Sequence, residues 1–134
     1  MVKFAVVKAQ PKVPAKQINA GLRAFFQIVE LWGLKTNHAL ILLGQPSKAT
    51  FHNWKNGKYS STGYALDLAT RLSYVIGIFK ALEILYQRPE LADQWVSKPN
   101  LAFGGQSALD RLMGGQITDL AAVRDYLDSV RGGW

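Results

Sequence analysis

Residues 36–57 read TNHALILLGQPSKATFHNWKNG, and the punctuation of this stretch sets the architecture of the front of the chain. A short apolar run, His38–Leu43, stops at Gly44, the residue that most readily takes the left-handed turn ending a helix. Thr36 or Asn37 is the expected cap at its start. Gln45 and Pro46 follow, and Ser47 then opens a second helix, Lys48–Asn56, which Gly57 closes. Short helix, glycine turn and capped second helix have the layout of a helix-turn-helix, with a turn about one residue longer than the tightest version. In that layout the second helix enters the major groove of DNA. Its early side chains Lys48, Thr50, His52 and Asn53 are then expected at base edges or phosphates, and Lys55 and Lys58 at backbone phosphate. Ser47, with the helix N-terminus, is expected to hold a phosphate oxygen. Phe51 and Trp54 lie three apart, so one of them is expected to pack inward against Leu40 and Leu43.

Working outward, the leading residues 1–17 read as a flexible basic arm, with the prolines of Ala9–Lys16 making an extended linker. From Asn19, an expected cap, the residues Leu22, Phe25, Phe26, Val29 and Trp32 repeat at helical spacing until Gly33. Downstream, residues 64–87 carry the longest periodic stretch, apolar over a wide arc. Such a helix must bury more than one face, against the front helices, a second copy, or both, so a homodimer is expected. Residues 89–96 form one or two further turns. Phe103-Gly104-Gly105 is a tight turn. Ser107-Ala108-Leu109-Asp110 has the form of a capping box, and its helix runs to Met113. After Gly114-Gly115, Thr118 is the expected cap of a last helix with the apolar stripe Leu120, Val123, Leu127 and Val130. No strand alternation is present, so the expected fold class is all-α. The expected organisation is the arm 1–17, a helix-turn-helix and dimerisation domain 18–96, and a small helical C-terminal domain 97–134.

Composition narrows the function. With 49% apolar residues, the chain is too hydrophobic for a disordered regulator. It has no cysteine, which fits a reducing compartment, and no apolar run long enough to cross a bilayer; the cytoplasm is the expected location. His38 and His52 are too far apart in sequence to make a metal site alone. No Gly-rich phosphate loop and no nucleophile with a believable base is present, so neither an enzyme nor a cofactor is expected. Charge is unevenly spread. Residues 1–61 hold eight lysines and Arg23 against Glu30 alone, whereas residues 62–134 hold seven basic groups against eight acidic ones. One half is suited to a polyanion, and the other has a different task.

The stretch 100–134, NLAFGGQSALDRLMGGQITDLAAVRDYLDSVRGGW, resembles the toxin-binding domain of the Xre/MbcA/ParS antitoxin family. The likeness is carried by Phe103-Gly104-Gly105, Ser107–Asp110, Leu112-Met113, Asp119-Leu120, Val123-Arg124, Tyr126-Leu127 and Arg131-Gly132-Gly133-Trp134. The preceding part is similar to the family's Xre-like domain at Leu42-Leu43-Gly44, Trp54-Lys55 and Arg71-Leu72 through Leu82. The resemblance implies a RES-domain toxin partner that consumes NAD, blockage of its active site, and binding of the complex to operator DNA. Phe103, Arg124, Arg131, Gly132, Gly133 and Trp134 are then the expected toxin contacts. Trp134 either reaches the toxin's cleft or folds back over Leu120 and Leu127. The competing reading is a stand-alone helix-turn-helix transcriptional regulator, which leaves the C-terminal motif without a task.

Overall fold

The computed structural model describes residues 13–60 and 65–132. Most of the expected arm (residues 1–12), residues 61–64, and the expected toxin contacts Gly133 and Trp134 lie outside the described residues. In chain order the helices are α1 (Ala15–Leu31), α2 (Thr36–Leu42), α3 (Lys48–Lys55), α4 (Ala65–Leu85), α5 (Pro89–Trp95), α6 (Ala108–Leu112) and α7 (Ile117–Val130), with a 3-10 turn, Leu101–Phe103, before α6. Extended pairing among the described residues is limited to one isolated bridge, Pro99 with Ser107. The all-α class is as expected.

Three helix starts differ from expectation, each for a local reason. Helix α1 begins at Ala15, with Pro14 rather than Asn19 at the cap. The Pro14 carbonyl accepts from Gln17 and Ile18 at 3.0 and 3.1 Å, proline has φ preset for a helix entry, and Ala15, Lys16 and Gln17 are good helix formers. Asn19 is used elsewhere: its Oδ1 accepts the Tyr59 N–H at 3.2 Å and fastens the segment after α3 to α1. Helix α2 has Lys35 at its cap, not Thr36 or Asn37, and the Lys35 N–H donates to His38 Nδ1 at 3.0 Å. Helix α7 has Gln116 at its cap, not Thr118. There the Asp119 carboxylate reaches back to the Gln116 N–H at 3.0 Å, a stronger device than a hydroxyl because the acceptor is charged.

Helix α4 is the central element, packed against α1, α5 and α7. Its apolar arc is wide because it has neighbours on several sides. Leu68, Leu72, Val75, Ile78, Ala81 and Leu82 are all buried, while Leu66 and Ile84 stay exposed. Helix α1 supplies Ile18, Leu22, Phe25 and Ile28 at helical spacing, and α7 supplies Leu120, Val123 and Leu127. Each such side chain contributes about 1.5–3 kcal/mol on full burial. Buried residues on both sides of position 97 belong to one cluster, so the front and rear of the chain share an interior.

Candidate functional site

The front face is built on α3. Ser47 caps it as expected, with Oγ accepting the Thr50 N–H at 3.1 Å and donating to Thr50 Oγ1 at 2.9 Å. Phe51 and Trp54 both turn inward, not one of the two. Positions three apart share a helix face, and a ring partner waits for each: Phe26 edge-on to Phe51 at 5.5 Å, and Tyr59 beside Trp54 at 6.1 Å. With that face fixed, helical geometry puts Ala49, His52, Asn53 and Asn56 on the outward crest, with Lys48 and Lys55 along one flank. Ser47, Lys48, His52, Asn53, Lys55 and Lys58 are all exposed. Thr50 stands apart: it is half-buried on the opposite flank, beside the Gly44–Ser47 turn and Asp67. Asn56 belongs to the crest and was missed in the sequence. Its Nδ2 lies 3.0 Å from His52 Nε2, and its place four residues after His52 is the signal that finds it. No carboxylate occurs between Glu30 and Asp67, so the charged side chains that α2 and α3 themselves carry are all basic.

The turn between α2 and α3 is held by backbone and by one arginine. Gly44 sits at φ 86° and Gln45 at φ 58°. Their N–H groups return to Ile41 and Leu40 carbonyls at 3.1 and 2.8 Å, the paired bonds of a Schellman ending. Arg71 of α4, only 8% exposed, lies beneath. Its Nε donates to Asp67 at 2.9 Å, and its Nη1 donates to the carbonyls of Gly115 at 2.8 Å and Leu42 at 3.4 Å. A Cβ on Gly44 would stand 3.1 Å from Arg71 Nε, and one on Gly115 would stand 3.3 Å from Ile41 Cγ2. The end of α2, the first third of α4 and the α6–α7 turn therefore meet at one buried cation.

The rear face is assembled by caps. Ser107 and Asp110 form the expected box: the Ser107 N–H donates to Asp110 Oδ2 at 2.9 Å, and the Asp110 N–H donates to Ser107 Oγ at 3.1 Å. The backbone and hydroxyl bonds from Ser107 hold the Asp110 carboxyl below the usual carboxylate range. The backbone bond from Gln116 does the same for Asp119, helped by Arg111, which pairs with it at 2.9 Å. Phe103 is half-buried in a ring cluster, 6.3 Å from Trp95 and 5.4 Å from Tyr126. Arg124 is turned toward its own molecule, donating to the Gly77 carbonyl on α4 and to Asp128. Arg131 follows the end of α7 and lines, with Arg124 and Lys80, an open groove of about 720 Å³ between α1 and α4. Gly132 is exposed beside it. Phe103 is not among the residues lining that groove. No group of three or more His, Asp or Glu suited to a metal ion occurs among the described residues, and no described helix is long and apolar enough to cross a membrane.

Comparison with known proteins places a function on the rear half. The model of the antitoxin Xre/MbcA/ParS C-terminal toxin-binding domain matches residues 81–133, beginning inside α4. Over 125 residues the chain is 42% identical to an uncharacterized protein of Sinorhizobium fredii, y4oB, a match that spans 93% of this chain and 95% of that one.

Proposed function

The chain belongs to the Xre/MbcA/ParS antitoxin family, and from that premise we propose that it neutralises a RES-domain, NAD-degrading toxin by occluding its active site and represses its own operon by binding operator DNA. That it is the antitoxin of a toxin–antitoxin pair, with a toxin protein as partner, follows from the matched domain. The finer reading is carried by one observation: the toxin-binding stretch shares its core with a capped α2–α3 unit whose outward face has lysines and no acid. In this reading Lys48, His52, Asn53 and Lys55 approach the major groove, Ser47 and Lys58 hold phosphate, and Thr50 supports the turn. Phe103, Arg124, Arg131 and Gly132, with Gly133 and Trp134, belong to the toxin side. The chain acts by binding rather than by catalysis, in the cytoplasm where NAD is available. Two copies pair their α3 helices on a palindromic operator.

Two measurements test this. Co-expression with a RES-domain toxin from the same genome should preserve cellular NAD and growth; continued NAD loss would sink the toxin assignment. Retardation of a duplex carrying the operon's promoter should weaken about 500-fold between 50 and 200 mM salt if about five cations meet phosphate. Lys48→Ala and Lys55→Ala should each flatten that dependence. Retardation without any toxin binding would favour the stand-alone regulator.

A further inference from the structure

Between α5 and α6 the chain closes a short loop, residues 100–106, with six hydrogen bonds. The Asn100 N–H donates to the Gln106 carbonyl at 2.8 Å, and the Asn100 carbonyl accepts from Phe103 and Gly105 at 3.0 and 3.1 Å. The Leu101 carbonyl accepts from Gly104 at 3.1 Å, and the Phe103 carbonyl accepts from Gln106 at 3.2 Å. Asn100 Oδ1 takes the Ala102 N–H at 2.9 Å. Gly104 and Gly105, at φ 68° and 86°, supply the two left-handed residues this closure needs. The loop is thus built to a fixed shape. Phe103 turns back onto Trp95 and Tyr126, which stack at 6.2 Å with their planes 14° apart. Leu101 does not turn back. It is 94% exposed, more than any other large apolar side chain among the described residues.

A leucine held rigidly in water contributes nothing to its own fold. The same leucine contributes strongly to association, because the loop is ordered before the partner arrives. We propose that Leu101 is the apolar knob of the toxin interface, seated in an apolar socket on the toxin, with the half-buried Trp95, Phe103 and Tyr126 as its base. The proposal rests on the antitoxin reading above. Its occupant is set by position, since Leu101 lies inside the matched toxin-binding stretch, residues 81–133. It is also set by chemistry, since a bare leucine gains nothing from a phosphate backbone.

The test is titration calorimetry of the full chain against the catalytically inactivated RES-domain toxin that the chain protects against in the co-expression experiment. Leu101→Ala should weaken binding about tenfold and Leu101→Asp about 100-fold or more, while Leu101→Met stays within about threefold of the parent. Circular dichroism, duplex retardation and sedimentation should be unchanged in all three, because the side chain has almost no contacts to lose. Parent-like binding by Leu101→Asp, with the parent itself binding tightly, overturns the knob and leaves the antitoxin reading standing. No binding by the parent overturns both. Loss of self-association with toxin binding intact puts the socket on a second copy and overturns the proposal.

Discussion

Arg71 shows how much one side chain decides at the residue scale. It is buried, charged, and bonded to a carboxylate and two carbonyls from three parts of the chain. Replacing it by methionine keeps volume but leaves the Gly115 and Leu42 carbonyls without their donor, a loss of about 2–4 kcal/mol. Urea unfolding should show a clearly lower midpoint for Arg71→Met; an unchanged midpoint would mean that these bonds stabilise nothing. Asp110 and Asp119 give a second prediction. Both carboxyls are held below their ordinary range in the folded chain, so their contribution is complete above the unfolded value and is lost as pH falls through the folded one. Stability should therefore decline below about pH 4, and the Asp110→Asn, Asp119→Asn double variant should show a flatter acid limb. The Ser107–Asp110 box was readable because its residue types and spacing are local. Arg71 was visible only as a family-like residue, since its two carbonyl acceptors lie 29 and 44 positions away.

At the element scale, the order and type of helices followed from apolar spacing and glycine stops, while the starts did not. Hydroxyls at Thr36 and Thr118 looked like caps in sequence. In the fold, His38 and Asp119 capture the N–H groups of Lys35 and Gln116 and set each start one or two residues earlier. The α2–α3 turn carries the element-scale prediction. Gly44→Ala places a Cβ in left-handed backbone and against Arg71, costing about 1–2 kcal/mol. The same variant should weaken duplex retardation more than a Gly57→Ala control, where a Cβ meets nothing within 4 Å. Equal effects in the two variants would separate the Gly44 turn from the DNA face. The exposure of Ser47, Lys48, His52, Asn53, Lys55 and Lys58 was legible because the large rings Phe51 and Trp54 fix which side of α3 turns inward. Thr50 falls off the crest because, once both rings turn inward, the helical repeat carries it to the far flank, whereas the sequence reading turns in only one of the two rings.

Across the whole molecule the charge division was plain in the sequence, but the shared interior was not. Nothing in residues 97–134 says that α7 lies along α4, or that Arg124 reaches the Gly77 carbonyl. The front and rear should accordingly melt together. Thermal unfolding followed at the rings of the front core and at Phe103 and Tyr126 in the rear should give coincident curves, and two separated transitions would contradict a common core. Removal of residues after 96 should unfold the front rather than release it.

The arginine beneath the α2–α3 turn has one more consequence. A tether with a swivel would let the toxin wander relative to the double helix. In the proposed reading Ile41, Arg71 and Gly115 are a rivet between the face offered to DNA and the scaffold that carries the toxin. Two such chains on one operator would then work as a calliper, the seats of the toxins fixing which spacing of half-sites the pair can straddle.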